Sequence, residues 1–246
     1  MKSPIRFHGL LRFGFSLLLI VPAISAAQTQ RSPILEKVAK AYGIDSWDQV
    51  EGVRYTWNAD IPGLFKATHK WEWEPKTGKI TFEGTDKDGK PVKVTYDSSQ
   101  LSSQSDQVKN EIEPSFVNDN YWAVFPFHAY WDKSASAIDQ GKFNLPVGSG
   151  MVDLLPIKYP ADGGYTPGDT WDLYVGNDNR VVYFVYHRGG AKPPSRVFAT
   201  WAGYKKAGPI LFSTEHRGTA DGKSLHIWLS AVAVKLAGSD KWMNAQ

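Results

Sequence analysis

The period of the apolar positions in this chain changes near residue 50. Before it, PILEKVAKAY (33–42) places apolar residues at 34, 35, 38, 39 and 42, with Gly43 where a helix C-terminus would be capped. That spacing predicts a short amphipathic helix starting from Ser32. A polar-aromatic stretch, Ile44-Asp45-Ser46-Trp47, leads to the first strand. From Val50 onward the period is two, in short β-branched and aromatic runs: GVRYTWNADI, KATHKWEWEP, KITFEG and KPVKVTY. Lys76-Thr77-Gly78-Lys79 and Asp88-Gly89 read as hairpin turns with glycine at positive φ. The second half has the same grammar in VDLLPIKYP, TWDLYVG, RVVYFVYH, VFATWAGY, PILFSTEHRG and SLHIWLSAVAVKL, with turns at Asn177-Asp178-Asn179 and Asp221-Gly222. Roughly ten strands in sequential hairpins predict an antiparallel meander.

Residues 98–132 interrupt the two strand sets. They open with the polar SSQLSSQSDQVKNEIEP and close with NDNYWAVFPFHAYWD, the densest aromatic patch in the chain. Strands such as VVYFVYH and LHIWLSAVAV carry large apolar groups on both faces and must be covered on both sides. The N-terminal helix and the 98–132 insertion are the expected covers of a mainly β, strongly curved sheet. Read as a helix from Asn118, the aromatic patch puts Tyr121, Trp122, Phe125 and Trp131 on one side. Pro126 kinks or ends it, and Asn118, Asp119, Asn120 and Asp132 bracket it as polar residues.

Two features set the cellular context. Lys2, Arg6 and Arg12 precede the apolar run Phe13–Ile24, which ends in Ser25-Ala26-Ala27, so residues 1–27 read as a secretory signal peptide. That leaves residues 28–246 as one expected domain. The net charge of +3 comes from 28 basic and 25 acidic residues; removing the three basic residues of the signal makes the balance even. Lys and Arg lie scattered among Asp and Glu, which excludes a nucleic-acid partner. The patch around Trp131 has no basic flank before Lys133, which argues against stable membrane insertion. The chain has no cysteine, so neither disulfides nor a lipid-bearing cysteine is available. The expected location is periplasmic or secreted, without a lipid anchor.

Catalytic and cofactor signatures are missing: there is no G-x-S-x-G, H-E-x-x-H, P-loop or dinucleotide fingerprint. Val147-Gly148-Ser149-Gly150 is a flexible corner followed by a strand, whereas a nucleophile elbow needs a helix there. Five histidines follow the signal, at 69, 128, 187, 216 and 226. A two-residue loop at Asp221-Gly222 pairs Arg217 with His226 and His216 with Ile227, so His216 and His226 point to opposite faces and make a poor metal pair. Glu72 and Glu74 share a strand face opposite Trp71 and Trp73, with lysines around them. That reads as a solvated, compensated face. No metal or cofactor is expected.

What remains is an inventory of sheet aromatics able to line a concave apolar groove, as sites for lipophilic ligands do. The expected lining is Trp57, Trp71, Trp73, Tyr121, Trp122, Phe125, Phe127, Trp131, Tyr183, Trp201 and Trp228. Three motifs accompany it: W-x-W-x-x-x-T-G-K (Trp71 to Lys79), F-x-N-D-x-Y-W-x-x-F-P-F (Phe116 to Phe127) and G-Y-x-x-G-D-x-W-x-L-Y-V (Gly164 to Val175). With the order helix, meander, helical insertion, meander, the chain over about 33–236 resembles the LolA/LolB-like superfamily of exported lipoprotein carriers. The resemblance implies an incomplete antiparallel β-barrel covered by helices, whose cavity takes an acyl chain or another lipophilic small molecule.

The leading expectation is therefore a non-enzymatic binding or carrier protein of the cell envelope, with residues 116–131 as a lid. An enzymatic rival would use His128, Asp132, His187 and Arg188 at the cavity mouth. A third reading is an interaction module that binds an envelope protein through an exposed sheet edge.

Overall fold

The structure, a computed structural model, describes residues 32–162, 166–192 and 195–246. The signal-peptide reading and the start of the third motif lie outside these residues. The first element is helix α1 (Pro33–Tyr42), residue for residue where the apolar spacing predicts it. The Ser32 hydroxyl caps it by accepting from the Ile34 N–H at 3.3 Å, and Gly43 closes it at φ 99°. No other residue fits at position 43, because a Cβ there would strike the Pro209 carbonyl oxygen.

A meander of four strands follows: β1 (Val50–Ile61), β2 (Phe65–Glu74), β3 (Lys79–Thr85) and β4 (Pro91–Asp97). Next come a 3-10 turn at Ser98–Ser103, a π-turn at Val108–Ile112 and helix α2 (Glu113–Trp131). The chain then builds β5 (Ser136–Ala137), β6 (Lys142–Asn144), β7 (Met151–Lys158), β8 (Thr170–Val175), β9 (Val181–His187) and β10 (Arg196–Thr200). A small hairpin of β11 (Lys205–Ala207) and β12 (Ile210–Phe212) precedes the last strands, β13 (Glu215–Ala220), β14 (Lys223–Leu236) and β15 (Trp242–Asn244).

Eleven strands form one antiparallel path, β4-β3-β2-β1-β14-β13-β10-β9-β8-β7-β5, with β15 added to β14 and β6 to β7. The sheet is strongly curved and its two ends do not meet, so the barrel is incomplete. The two meanders are joined at the centre by β1 against β14. That seam carries a bulge, where the register steps from Arg54↔Ala233 to Thr56↔Ser230 and Ala231 takes φ 50°. Such bulges bend a strand and raise its twist, which here helps turn the sheet around its contents.

The concave face holds α1, α2 and the core. Tyr55, Trp57, Trp71, Ile80, Phe82, Leu155, Ile157, Leu173 and Phe184 are almost fully buried beneath the helices. At the β13–β14 hairpin, Asp221 and Gly222 both have positive φ, and Arg217 faces His226 while His216 faces Ile227, as expected. Glu72 is exposed next to buried Trp71, in keeping with a two-faced strand.

Candidate functional site: the two flanks of helix α2

Helix α2 begins at Glu113, a turn and a half earlier than the aromatic pattern alone suggests, because the π-turn and Pro114 lead into it. It bends at Val124 (φ −137°, ψ 30°), two residues before Pro126, whose missing N–H leaves the Trp122 carbonyl without its helical donor.

Polar side chains bolt this helix to the sheet. The carboxylate of Asp119, 1% exposed, accepts at Oδ2 from Trp71 Nε1–H at 2.8 Å and lies 2.7 Å from Nδ1 of His69; Asn118 Nδ2–H donates to Oδ1 at 3.0 Å. Burial raises the Asp119 carboxyl above the usual carboxylate range, opposed first by the His69 hydrogen bond. Asn120, equally buried, donates to the Tyr55 hydroxyl at 3.3 Å, while its Oδ1 lies 2.7 Å from Nε2 of His128. Tyr96 of β4 donates to Glu113 at 2.5 Å. Asp119 and Asn120 are thus interior fastenings, where the sequence pattern suggests a polar bracket, while Asn118 stays exposed. Three poor helix formers together inside an aromatic run were the available signal.

On one flank, positions 114, 117, 118, 121 and 122 form a single helical stripe facing β8, β9 and β10. Between this stripe and Trp171, Phe184, Tyr186 and Val197 lies an open cavity of about 260 Å³. Its rim is polar. The Asp169 carboxylate, 6% exposed, accepts from the Tyr186 hydroxyl at 2.9 Å and from the Gly189 N–H at 2.8 Å. Burial and that carboxylate push the Tyr186 phenol upward. Tyr121 is raised mainly by burial, and its hydroxyl shares hydrogen bonds with Tyr159 and Thr166. Trp171 Nε1 is buried without a hydrogen-bond partner among the described residues. At neutral pH the walls therefore present flat aromatic faces, and the one carboxylate in the lining is already bonded at both oxygens.

Of the residues expected to line a groove, Tyr121 and Trp122 face this cavity, and Phe125 lies just behind it, stacked on Trp171 at 4.2 Å. Trp57 and Trp71 are 2% exposed in the core. Trp73, Phe127 and Trp131 gather around Trp47 at 5.0–5.7 Å. Trp201 lies under Trp122 and against His216. Tyr183 stacks on Phe198 and Trp228 on His226, on the opposite face of the sheet from Phe184, Ile227 and Leu229. Pro114, Val117, Phe184 and Val197 complete the lining; the sequence reading passed over Pro114, Val117 and Val197 as site residues because none is aromatic.

The residues of the enzymatic rival are not gathered. His128 is half-buried against Asn120 and Tyr121, its pKa lowered to about 4 by desolvation. His187 is half-exposed at the end of β9, 3.1 Å from Asp172. Among the described residues, no helix is long and apolar enough to cross a membrane.

No family model matches this chain, and no curated protein matches it. Among solved structures, it is similar to a DUF1329 family protein from Desulfovibrio piger at 13% identity and a TM-score of 0.46, over 85% of this chain and 96% of that one. It is also similar to a LolA superfamily protein from Nitrosomonas europaea (10% identity, TM-score 0.48, 81% and 90% covered). A third is the lipoprotein LppX of Mycobacterium tuberculosis (9% identity, TM-score 0.28, 81% and 94% covered).

Proposed function

We propose that this protein is an exported hydrophobic-ligand carrier, holding one acyl chain or a similar lipophilic molecule reversibly between α2 and β8–β10. The observation that carries the reading is the cavity itself. Protein interiors close up voids larger than a water molecule, yet the Tyr121–Trp122 face of α2 and the Trp171–Phe184–Val197 face of the sheet stay apart by about 260 Å³. That is near the lower end of the ~300–1,000 Å³ typical of small-molecule sites, a size suited to a single chain. Aromatic walls with few polar groups recognise apolar area, each ~50 Å² of which contributes roughly 1 kcal/mol when covered. No covalent chemistry is required; binding and release suffice. The α2 anchors at Asp119 and Asn120 keep the cavity's inner wall in place, so access is through the rim near Asp169 and Tyr186.

The test is titration with a fluorescent fatty-acyl probe, with native mass spectrometry of the protein purified from its own envelope. Binding is expected in the native chain and lost in Val197→Trp, which fills the cavity, with the melting transition retained. Absence of both a co-purifying lipid and probe binding would sink the reading.

A further inference from the structure

The other flank of α2 holds a second and larger opening, about 470 Å³, between the β1–β2 hairpin tip, the β3–β4 turn and the π-turn. Its chemistry differs from that of the apolar cavity. Three of the four charged side chains lining it are in ion pairs. Lys87 pairs with Glu111 at 3.0 Å, Lys66 with Asp60 at 3.4 Å, and Asp86 accepts the Asp88 and Lys90 N–H groups at 2.9 and 2.8 Å. Both of those N–H bonds end on Oδ1 of Asp86, so its Oδ2 is left as an acceptor among the described residues. The cleft's other polar side chains, Thr85, Gln107 and Ser115, both donate and accept.

At the cleft wall stands His69. Its ring is held by stacking on Trp57 (5.4 Å, 17°) and by the edge contact with Phe82 (5.6 Å). Nδ1 faces Asp119, whose oxygens also take the Trp71 and Asn118 N–H groups, both obligate donors. With Nδ1 engaged on Asp119, Nε2 is the ring nitrogen left for a ligand, and a hydroxyl can bond it whether it accepts or donates. Nε2 has no protein partner among the described residues, and the side chain keeps 12% of its surface open. Phe65, 44% exposed at the hairpin tip, gives the cleft a flat apolar edge.

We propose that this cleft binds a neutral, hydroxyl-rich ligand of the saccharide class, with His69 Nε2 hydrogen-bonded to a hydroxyl and Phe65 covering an apolar sugar face. A hydroxyl both gives and takes hydrogen bonds, which matches His69 Nε2, the Asp86 carboxylate and the amphoteric side chains around them. This site shares only helix α2 with the apolar cavity.

The experiment follows the His69 Nε2 resonance in long-range imidazole NMR spectra at neutral pH during titration with D-glucose, N-acetylglucosamine, trehalose and cellobiose. At least one sugar is expected to shift it saturably. His69→Gln and Gln107→Trp should each weaken that binding about tenfold or more. Gln107 is exposed and outside the buried network, so its variant reads the cleft without testing the fold. Val197→Trp should leave the sugar response intact, which separates failure here from failure of the apolar cavity. No saturable shift with any of the four sugars, a response undiminished by Gln107→Trp, or a His69 resonance moved only by the fatty-acyl probe would each overturn the proposal.

Discussion

Nδ1 of His69 on β2 lies 2.7 Å from Oδ2 of Asp119 on α2, and Trp71 Nε1 reaches the same oxygen at 2.8 Å. One buried carboxylate thus collects two donors from a strand and joins the covering helix to the sheet. Asp119→Ala would leave the Trp71 and His69 donors without their acceptor in the interior. A loss of about 3–5 kcal/mol is expected, read as a lower urea midpoint, with Asp119→Asn less damaging. A variant as stable as the native chain would contradict the fastening role.

Acid should destabilise the fold through two interior histidines. Desolvation lowers His128 to about 4 and His216 to about 3 from 6.5. A base with a depressed folded pKa contributes stability that is present above its unfolded value and lost as pH falls toward the folded one. The window therefore opens near pH 6.5 and extends to about 4 for His128 and about 3 for His216, with a full loss on the order of 3 kcal/mol for the first and about 5 kcal/mol for the second. Asp119 acts with the opposite sign, its raised pKa favouring the fold at low pH. Urea midpoints at pH 7 and pH 4.5 should show a net decrease, made smaller in His216→Phe, which also removes a buried Nε2 with no partner.

Tyr42 ties α1 to the start of β9. Its hydroxyl accepts the Val181 N–H at 3.2 Å and meets the Tyr204 hydroxyl at 2.8 Å, while Tyr204 donates to the Val181 carbonyl. Val181 is 1% exposed, so Tyr42→Phe strands a buried N–H at a cost of about 1–3 kcal/mol. A double-mutant cycle with Tyr204→Phe should show coupling, because the two hydroxyls share one network. Additive effects would show that the pair acts independently.

Ala231 sits in the left-handed region at φ 50°, within the bulge of β14, and its side chain is exposed. The Cβ penalty of roughly 1–2 kcal/mol there slightly exceeds the extra unfolded-state entropy of glycine, ~0.5–1 kcal/mol. Ala231→Gly should therefore raise stability by about 0.5 kcal/mol in equilibrium denaturation. Ala231→Val should lower it.

Local order was readable from the chain, and distant pairing was not. The 33–42 helix, its Ser32 and Gly43 caps, and the facing of Arg217 with His226 across Asp221-Gly222 all follow from spacing within a few residues. The incomplete curved sheet follows from strands that are apolar on both faces and need a cover. Asp119 and Asn120 looked like solvent-facing residues because their partners, His69 and Tyr55, lie 50 and 65 positions away. Aromatic content likewise marked Tyr121 and Trp122, but could not tell them from Tyr183 and Trp228. Which side of a strand faces the helix depends on a register that short-range patterns do not specify. Val117 and Val197 are ordinary apolar positions until α2 is laid across β10.

The seam of β1 against β14 has a kinetic consequence. Val50 pairs with Leu236 and Asp60 with His226, so the strand that holds the first meander to the second is completed only near the end of the chain. Contacts of such long sequence separation slow folding, because a large loop must close before they reward it. Until then the first four strands present the whole length of β1 as an open edge, ready to pair with any other extended segment. A chain made from its N-terminus thus stays unfinished, and open to a chaperone or a misplaced strand, until residues 226–236 have been made.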